Sequence, residues 1–281
     1  MSEVANSLFK FLAYTPLFVA LTGIALIYFV LTLLELPIHP LLLFITFLVV
    51  FSVYSINRCL EISDEDILNY PERVAFIKKH ISKLKFSSFL LYTIAFITAI
   101  LTDFWVAIFI LIPLIVVILY TIKPFKLKKF FFIKNFVVAF TWALCLTILP
   151  LLFFKEPITL QAVFIFLFIF LKGIGNTITF DIRDMKGDRV HGISTIPILL
   201  GIEKTKKLLI LINILSFIVL IIPALLQILS PVAYFVSLVV FYTFLYIMLI
   251  DKIDLKFLTD ILADSEFIII GILAFIGTLV T

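Results

Sequence analysis

Long apolar runs separated by short polar links dominate the sequence. A helix that crosses a hydrocarbon core of about 30 Å needs about 20 apolar residues at about 1.5 Å each. Runs of this size predict nine transmembrane helices, at residues 13–34, 37–55, 86–102, 104–121, 135–154, 159–180, 207–228, 231–250 and 262–280. The predicted fold class is therefore all-α: a polytopic membrane protein with nine helices in one bundle, forming a single domain over residues 1–281.

The composition excludes a soluble protein. Of the 281 residues, 64% are hydrophobic and 14% are charged, whereas a soluble globular domain typically carries about 25% charged residues. The net charge of +4 is explained by the polar links of a membrane protein, so we expect no nucleic-acid partner. The two cysteines have no metal-ligand spacing.

The distribution of basic residues predicts the orientation. When the N-terminus and the links after predicted helices 2, 4, 6 and 8 are placed on one side, that side receives 20 of the 22 Lys and Arg residues. Basic links face the cytoplasm. We therefore expect a multi-pass protein of the cell membrane with a cytoplasmic N-terminus and an outer C-terminus. The first apolar run is too long for a cleaved signal and is predicted to remain as a helix.

The link after predicted helix 2 is rich in acidic residues. Asn57, Glu61 and Glu65 are spaced i, i+4 and i+8, with Asp64 at i+7, so a continuous helix would place all four on one face. Asp66 is a further acidic candidate for binding a cation in this link. Like charges placed in this way repel one another, which favours a bound cation. We call residues 57–66 the first acidic motif.

A second acidic cluster follows predicted helix 6, in the sequence DIRDMKGDRVHGISTIP. Asp181, Asp184 and Asp188 are spaced i, i+3 and i+7, again on one helical face; we call them the second acidic motif. Four predicted crossings separate the two motifs, so both lie on the same side of the membrane. Opposed carboxylates favour a hard divalent cation such as Mg²⁺, which usually also binds phosphate. Ordinary solvated charge is the alternative.

The second motif resembles that of the UbiA-type intramembrane prenyltransferases. DIRDMKGDRVHGISTIP is similar to this family's second aspartate motif, and Asn57 opens the counterpart of its first, usually Asn-x-x-x-Asp-x-x-x-Asp. Residues 120–144 are similar to the family's link between helices 4 and 5. The first motif departs from the pattern: Glu61 stands where an aspartate is usual, and the second acid is either Glu65 or Asp66.

The resemblance implies a central cavity with the acidic motifs and a cap at the cytoplasmic face. It also implies an enzyme that transfers an isoprenyl group from a prenyl diphosphate to a lipophilic acceptor, aromatic or lipid, within the bilayer. Asp181, Asp184 and Asp188 are the implied catalytic residues. The implied ligands of the Mg²⁺ cofactor are these three aspartates together with Asn57, Glu61, Asp64, Glu65 and Asp66.

Several other polar residues are candidates for substrate binding. Phosphate oxygens pair well with basic side chains, and the candidates for that role are Arg73, Lys126, Lys128, Arg183 and Arg189. Tyr120 is a candidate for contact near the reacting carbon. Lys172 lies inside predicted helix 6, with Asn176 one turn later, and an intramembrane cation is a functional hypothesis by default.

Each of these residues has a structural alternative. The lysines of the link can be positive-inside anchors, and Lys172 can pair with a carboxylate. Asp264 and Glu266 are expected at the membrane interface. Two other functions stay open at this point: a non-catalytic relative that binds prenyl diphosphate, which the substitution at Glu61 allows, and a cation-coupled membrane transporter.

Overall fold

The computed structural model describes residues 15–60, 62, 64–121 and 131–281, without the side chains of residues 64–66. Within these residues the chain is helical and contains no strand. Eight helices are long and apolar enough to cross a membrane: α2 (Pro40–Leu60), α3 (Pro71–Thr102), α4 (Phe104–Thr121), α5 (Ile133–Phe154), α6 (Leu160–Val190), α7 (Ile202–Leu225), α8 (Val232–Leu249) and α9 (Leu255–Val280). The predicted all-helical membrane fold is confirmed.

The first predicted helix corresponds to α1, Leu17–Leu33, which is apolar but has only 17 residues. Two short helices, Asp64–Asn69 and Ile196–Leu200, follow α2 and α6 respectively. Large apolar side chains such as Phe89, Leu101 and Phe241 cover the outside of the bundle. An outer surface of this kind is stable in lipid because lipid tails are as apolar as the side chains.

Small residues let the helices around the centre of the bundle approach closely. A Cβ atom on Gly173 of α6 would lie 3.0 Å from the Cβ of Ala139 in α5. A Cβ atom on Gly271 of α9 would lie 2.8 Å from the Cβ of Ala25 in α1. Without a hydrophobic driving force between helices in lipid, such backbone approach is a main source of packing energy.

Two helices continue well beyond the apolar runs that predicted them. α3 begins at Pro71 rather than at residue 86, with proline in its first turn, and α6 continues to Val190 rather than ending at residue 180. Their polar ends escape a search for apolar runs. The extension of α6 places Asp181, Asp184 and Asp188 on one helix, as their spacing predicts.

The first acidic motif does not form the continuous helix that its spacing suggested. α2 ends at Leu60, Ile62 is not helical, and the next helix begins at Asp64. Asn57 and Glu65 therefore belong to different helices, and the predicted common face is wrong. The sequence SDED explains the interruption, since serine and acidic residues favour the start of a new helix.

Contacts between links show which helix ends lie together. His39, after α1, packs against Phe153 near the end of α5, with ring centroids 4.9 Å apart and the rings tilted by 57°. Lys155, after α5, forms an ion pair with Asp103 between α3 and α4. These links lie at one end of the bundle, and both acidic motifs belong to the opposite end, in agreement with the even number of crossings between them.

Candidate active site

A cavity of about 330 Å³ opens among the helices at the end that carries the acidic motifs. Its described wall is unusually rich in charge for a membrane helix bundle. The acidic side chains that line it are Asp181, Asp184, Asp188, Asp260 and Asp264. The basic side chains that line it are Arg58, Arg73, Lys134 and Arg183. Ionisable side chains are costly to bury inside a membrane protein, and where they occur they usually mark a functional site.

Two residues from the first turn of α5 hold Asp181. The Lys134 ammonium lies 2.7 Å from Asp181 Oδ1, and Asn135 Nδ2 donates to Asp181 Oδ2 at 2.9 Å. The same ammonium lies 3.4 Å from Asp188 Oδ2. One cation from α5 thus contacts the first and the last aspartate of the second acidic motif.

Asp184 is held by a different set of partners. Arg183 donates to it through Nε at 2.9 Å and Nη2 at 3.2 Å, and the Tyr70 hydroxyl donates to Asp184 Oδ1. Burial raises the pKa of the Tyr70 phenol well above its usual value, so this phenol keeps its proton and acts as a donor. Arg73 packs over the Tyr70 ring, 3.8 Å from its centroid.

A π-helical turn in α9, Leu258–Ala263, brings two more partners to Arg183. Arg183 Nη1 donates to Thr259 Oγ1 at 3.0 Å and to Asp260 Oδ1. Turns of this kind are often found at functional sites because they re-aim side chains within a helix. Since its donors are already engaged with Asp184, Thr259 and Asp260, Arg183 ties α6 to α9.

The segment after the first acidic motif packs directly on the second. A Cβ atom on Gly187 would lie 2.5 Å from both Nδ2 and Oδ1 of Asn69. A side chain at this position would force the Asn69 amide to move, so glycine permits the close contact between the short helix Asp64–Asn69 and α6. Together with the hydrogen bond from Tyr70 to Asp184, this contact holds the segment that follows the first motif against the second motif.

A second cavity of about 250 Å³ lies between α2, α4 and α5 and has a mainly apolar wall. Trp142 and Tyr54 line both cavities. Trp142 Nε1 donates to the Tyr54 hydroxyl at 2.7 Å, and the two rings pack edge to face. This hydrogen-bonded pair lies where the charged cavity adjoins the apolar one.

Most of the described candidates from the sequence lie around the charged cavity. Arg73, Asn57, Tyr120 and Asn176 line it, and Tyr120 and Asn57 also line the apolar cavity. Asn176 donates to Asp264 Oδ1 at 3.4 Å. Glu61, Lys126 and Lys128 lie outside the described residues, and Asp64, Glu65 and Asp66 are described by their backbone alone.

Lys172 and Arg189 do not line the charged cavity, and their contact with substrate stays a prediction. Lys172 precedes cavity-lining Gly173 by one residue, about 100° around the helix, and forms a buried ion pair with Glu266 at 2.7 Å. Arg189 follows Asp188 by one residue and is exposed, outside the described cavity wall. Lys172 therefore pairs with a carboxylate, as the structural alternative for this residue stated.

Asp264 and Glu266 face the interior of the bundle rather than its outside. Glu266 is buried in the bundle, and Asp264 lines the charged cavity. Lys134, Asn135 and Asp260 are not among the residues predicted from the sequence, although all three line the charged cavity. Lys134 and Asn135 stood within a segment already similar to the family's link, but nothing in their spacing indicated contact with Asp181.

The donor chemistry of the cavity suits a hard divalent cation. Carboxylate oxygens are the ligands that Mg²⁺ prefers, and an ionised carboxylate accepts more contacts than the partners of Asp184 occupy. Among the described side chains, however, no three acidic, histidine or cysteine residues cluster closely enough to form a metal site by themselves.

Comparison with known proteins now decides the family. The chain matches the UbiA prenyltransferase family over residues 16–256. It belongs to the UbiA prenyltransferase family. The resemblance noted in the sequence is therefore confirmed, and this family of multi-pass membrane proteins includes the relatives described next.

Three relatives of this UbiA-family protein are informative. A digeranylgeranylglyceryl phosphate synthase from Sulfurisphaera tokodaii is 30% identical over 193 residues, which cover 66% of this chain and 68% of the relative. The structure of a UbiA homolog from Aeropyrum pernix K1 matches with a TM-score of 0.67 at 15% identity, covering 93% of this chain and 97% of the homolog. A UbiA homolog from Archaeoglobus fulgidus bound to GPP and Mg²⁺ matches with a TM-score of 0.65 at 17% identity, covering 93% and 99%.

Proposed function

We propose that this UbiA-family protein transfers an isoprenyl group from a prenyl diphosphate to a lipophilic acceptor within the membrane, in a Mg²⁺-dependent reaction. The observation that carries the proposal is a charged cavity, lined by the three aspartates of the second acidic motif and by Asn57 of the first, that adjoins an apolar cavity. The charged cavity suits the diphosphate and its cations. The apolar cavity suits the isoprenyl chain.

The proposed roles follow from the described contacts. Asp184 and Asp188, with the acids of the first motif, would hold Mg²⁺. Bound there, Mg²⁺ neutralises the diphosphate and stabilises it as a leaving group. Arg73, on the cavity wall, is placed to pair with phosphate oxygens. We place this site at the cytoplasmic face because the links beside it carry the excess of basic residues.

The balanced reaction breaks one bond and forms another. The bond between C1 of the isoprenyl group and the diphosphate oxygen breaks, and the electron pair leaves with the diphosphate. C1 then forms a bond to a nucleophilic oxygen or carbon of the acceptor, which releases one proton. Trp142 and Tyr120 line both cavities, and their aromatic rings would stabilise positive charge at C1.

A glycerol-phosphate ether lipid is the acceptor to test first. The relative from Sulfurisphaera tokodaii is a digeranylgeranylglyceryl phosphate synthase, and it shares 30% identity with this chain. Aromatic acceptors form the second arm of the test. Formation of the alkylated acceptor with release of diphosphate, each measured directly, distinguishes an enzyme from a protein that only binds the donor.

Binding of labelled geranylgeranyl diphosphate by the purified protein tests the first step. We expect binding with Mg²⁺ that is lost on addition of EDTA and in the variants Asp184→Asn and Asp188→Asn. Asp251→Asn is the matched control, because Asp251 pairs with Lys206 outside the cavity wall that the structure describes. Binding that is indifferent to EDTA and to both variants contradicts the proposal. If proteoliposomes take up a solute and prenyl diphosphate does not change that uptake, the result favours a transporter instead.

A further inference from the structure

Lys134 is a cation of the charged cavity that belongs to neither acidic motif. Lys134 and Asn135 lie in the first turn of α5, and both side chains line the charged cavity. The Lys134 side chain is only 17% exposed, and those of Asp181 and Asp188 are 5% and 2% exposed. An ammonium in such surroundings is maintained by its carboxylate partners, since an unpaired buried charge is costly.

The position of the ammonium is unusual relative to the second acidic motif. Asp181 and Asp188 are seven residues apart, about 10 Å along a helix, yet Lys134 Nζ contacts both carboxylates. It therefore lies between the two acids that a cation on this face of α6 would meet. A divalent ion that binds Asp188 from this direction has to displace the ammonium from it.

The contacts of Lys134 are unequal, and the inequality assigns different roles to the two acids. Its distance to Asp181 is 2.7 Å and its distance to Asp188 is 3.4 Å. Asn135, the next residue of α5, binds the other oxygen of Asp181 at 2.9 Å. Asp181 is thus held on both oxygens by one helical turn of α5, whereas among the described side chains Asp188 has only the longer contact to Lys134.

We propose that Lys134 is a fixed cation of the diphosphate-binding site, anchored by Asp181, and that it competes with the divalent cation for Asp188. Asp181 is then a positioning residue rather than a metal ligand, which revises the role implied by the motif. When the divalent cation and the diphosphate are bound, Lys134 remains on Asp181 and pairs with a phosphate oxygen. This inference rests on the proposed function.

Charge removal at Lys134 has two effects of opposite sign. Lys134→Gln keeps a donor for Asp181 and removes the charge, while Lys134→Arg keeps the charge. The probe for the metal alone is Mn²⁺, followed by the free-ion signal in electron paramagnetic resonance. For Lys134→Gln we expect Mn²⁺ to bind at least about threefold more tightly, because a nearby positive charge is gone, and labelled geranylgeranyl diphosphate at saturating Mg²⁺ to bind about tenfold more weakly.

The other variants separate this inference from the proposed function. Lys134→Arg should keep both affinities near those of the unmodified protein. Asp188→Asn should lose Mn²⁺ binding, and Asp181→Asn should retain it. A residue with a purely structural role does not tighten metal binding on removal, so the opposite signs for Lys134→Gln are diagnostic.

Each outcome decides between the two ideas. If the unmodified protein binds neither Mn²⁺ nor the labelled diphosphate, the proposed function fails. If the unmodified protein binds both and Asp188→Asn loses Mn²⁺, the donor-binding step of the proposed function stands. In that case the role of Lys134 is overturned by a Lys134→Gln variant with unchanged or weaker Mn²⁺ binding. Loss of Mn²⁺ binding in Asp181→Asn would show that Asp181 is a metal ligand and would overturn its role as an anchor.

Discussion

The buried ion pair between Lys172 and Glu266 allows a quantitative test of how the bundle is held together. The two side chains are 3% and 1% exposed, and Lys172 Nζ lies 2.7 Å from Glu266 Oε1. The ammonium also donates to Asn213 Oδ1 at 2.8 Å and to Thr243 Oγ1 at 2.9 Å. The hydroxyl of Tyr246 donates to Glu266 Oε2 at 2.7 Å. This network joins α6, α7, α8 and α9.

Removal of one partner leaves a charge buried without its counter-ion. Lys172→Met keeps the length of the side chain but removes the ammonium, and breaking a buried pair in this way costs about 3–5 kcal/mol. Glu266 keeps the hydroxyl donors of Thr243 and Tyr246, so we expect the lower end, about 3 kcal/mol. At about 2–4 °C for each kcal/mol, the melting temperature should fall by about 6–12 °C.

Thermal unfolding of the detergent-purified variants, followed by intrinsic fluorescence, measures this loss. The double variant Lys172→Met/Glu266→Met removes both charges and should melt above Lys172→Met alone, because replacement of a whole buried pair costs far less than breaking it. Lys155→Met is the matched control. Its side chain is 76% exposed and pairs with Asp103 at 3.5 Å, so solvent screening leaves little to lose.

Two results would refute this reasoning. One is a double variant whose loss of stability equals the sum of the losses in Lys172→Met and in Glu266→Met, since the effects of independent sites add and those of paired residues do not. The other is a Lys172→Met variant with an unchanged melting temperature and weakened binding of geranylgeranyl diphosphate. The second result would return Lys172 to the role of a substrate contact.

Two further substitutions test the geometry of the cavities. Gly187→Ala places a methyl group 2.5 Å from the Asn69 amide and should weaken binding of labelled geranylgeranyl diphosphate about tenfold by displacing that segment, whereas Gly175→Ala, 3.7 Å from its nearest neighbour, should not; equal behaviour of the two variants contradicts the packing argument. Trp142→Ala removes the largest side chain that the two cavities share, which should widen the passage between them and raise kcat/KM for the C20 donor relative to the C10 donor about tenfold, while Tyr54→Phe, which removes only the hydroxyl, should change this ratio little. An equal fall for both donors with Trp142→Ala shows that the pair does not limit chain length.

Much of the candidate site could be predicted from residues on a single helix. The spacing of Asp181, Asp184 and Asp188 placed them on one face of a helix, and α6 carries them there. Local periodicity is sufficient for such a prediction because the geometry of a helix repeats every 3.6 residues. The same reasoning failed for Asn57 and Glu65, where a new helix begins between them and interrupts the period.

Contacts between helices that are distant along the chain could not be predicted from the sequence. Nothing in the order of residues showed that Lys134 would reach Asp181, or that the π-helical turn of α9 would bring Asp260 to Arg183. Lys172 was recognised as unusual, but its partner Glu266 was placed at the interface because its position in the apolar run was the only information. Such pairs depend on the rotation of each helix about its axis, which packing between helices determines.

By itself, the sequence determined that this protein is a helical membrane bundle, which helix carries the second acidic motif, and that both motifs share one end of the bundle. These features follow from composition, helical period and the parity of crossings. Only the tertiary structure decided which side chains meet in the cavity, that Lys172 belongs to a buried ion pair, and that Lys134 lies between Asp181 and Asp188. The reason is physical: an apolar helix face is equally stable against lipid and against another helix, so the apolar pattern does not choose the neighbours. Close packing and buried charge pairs determine the final arrangement.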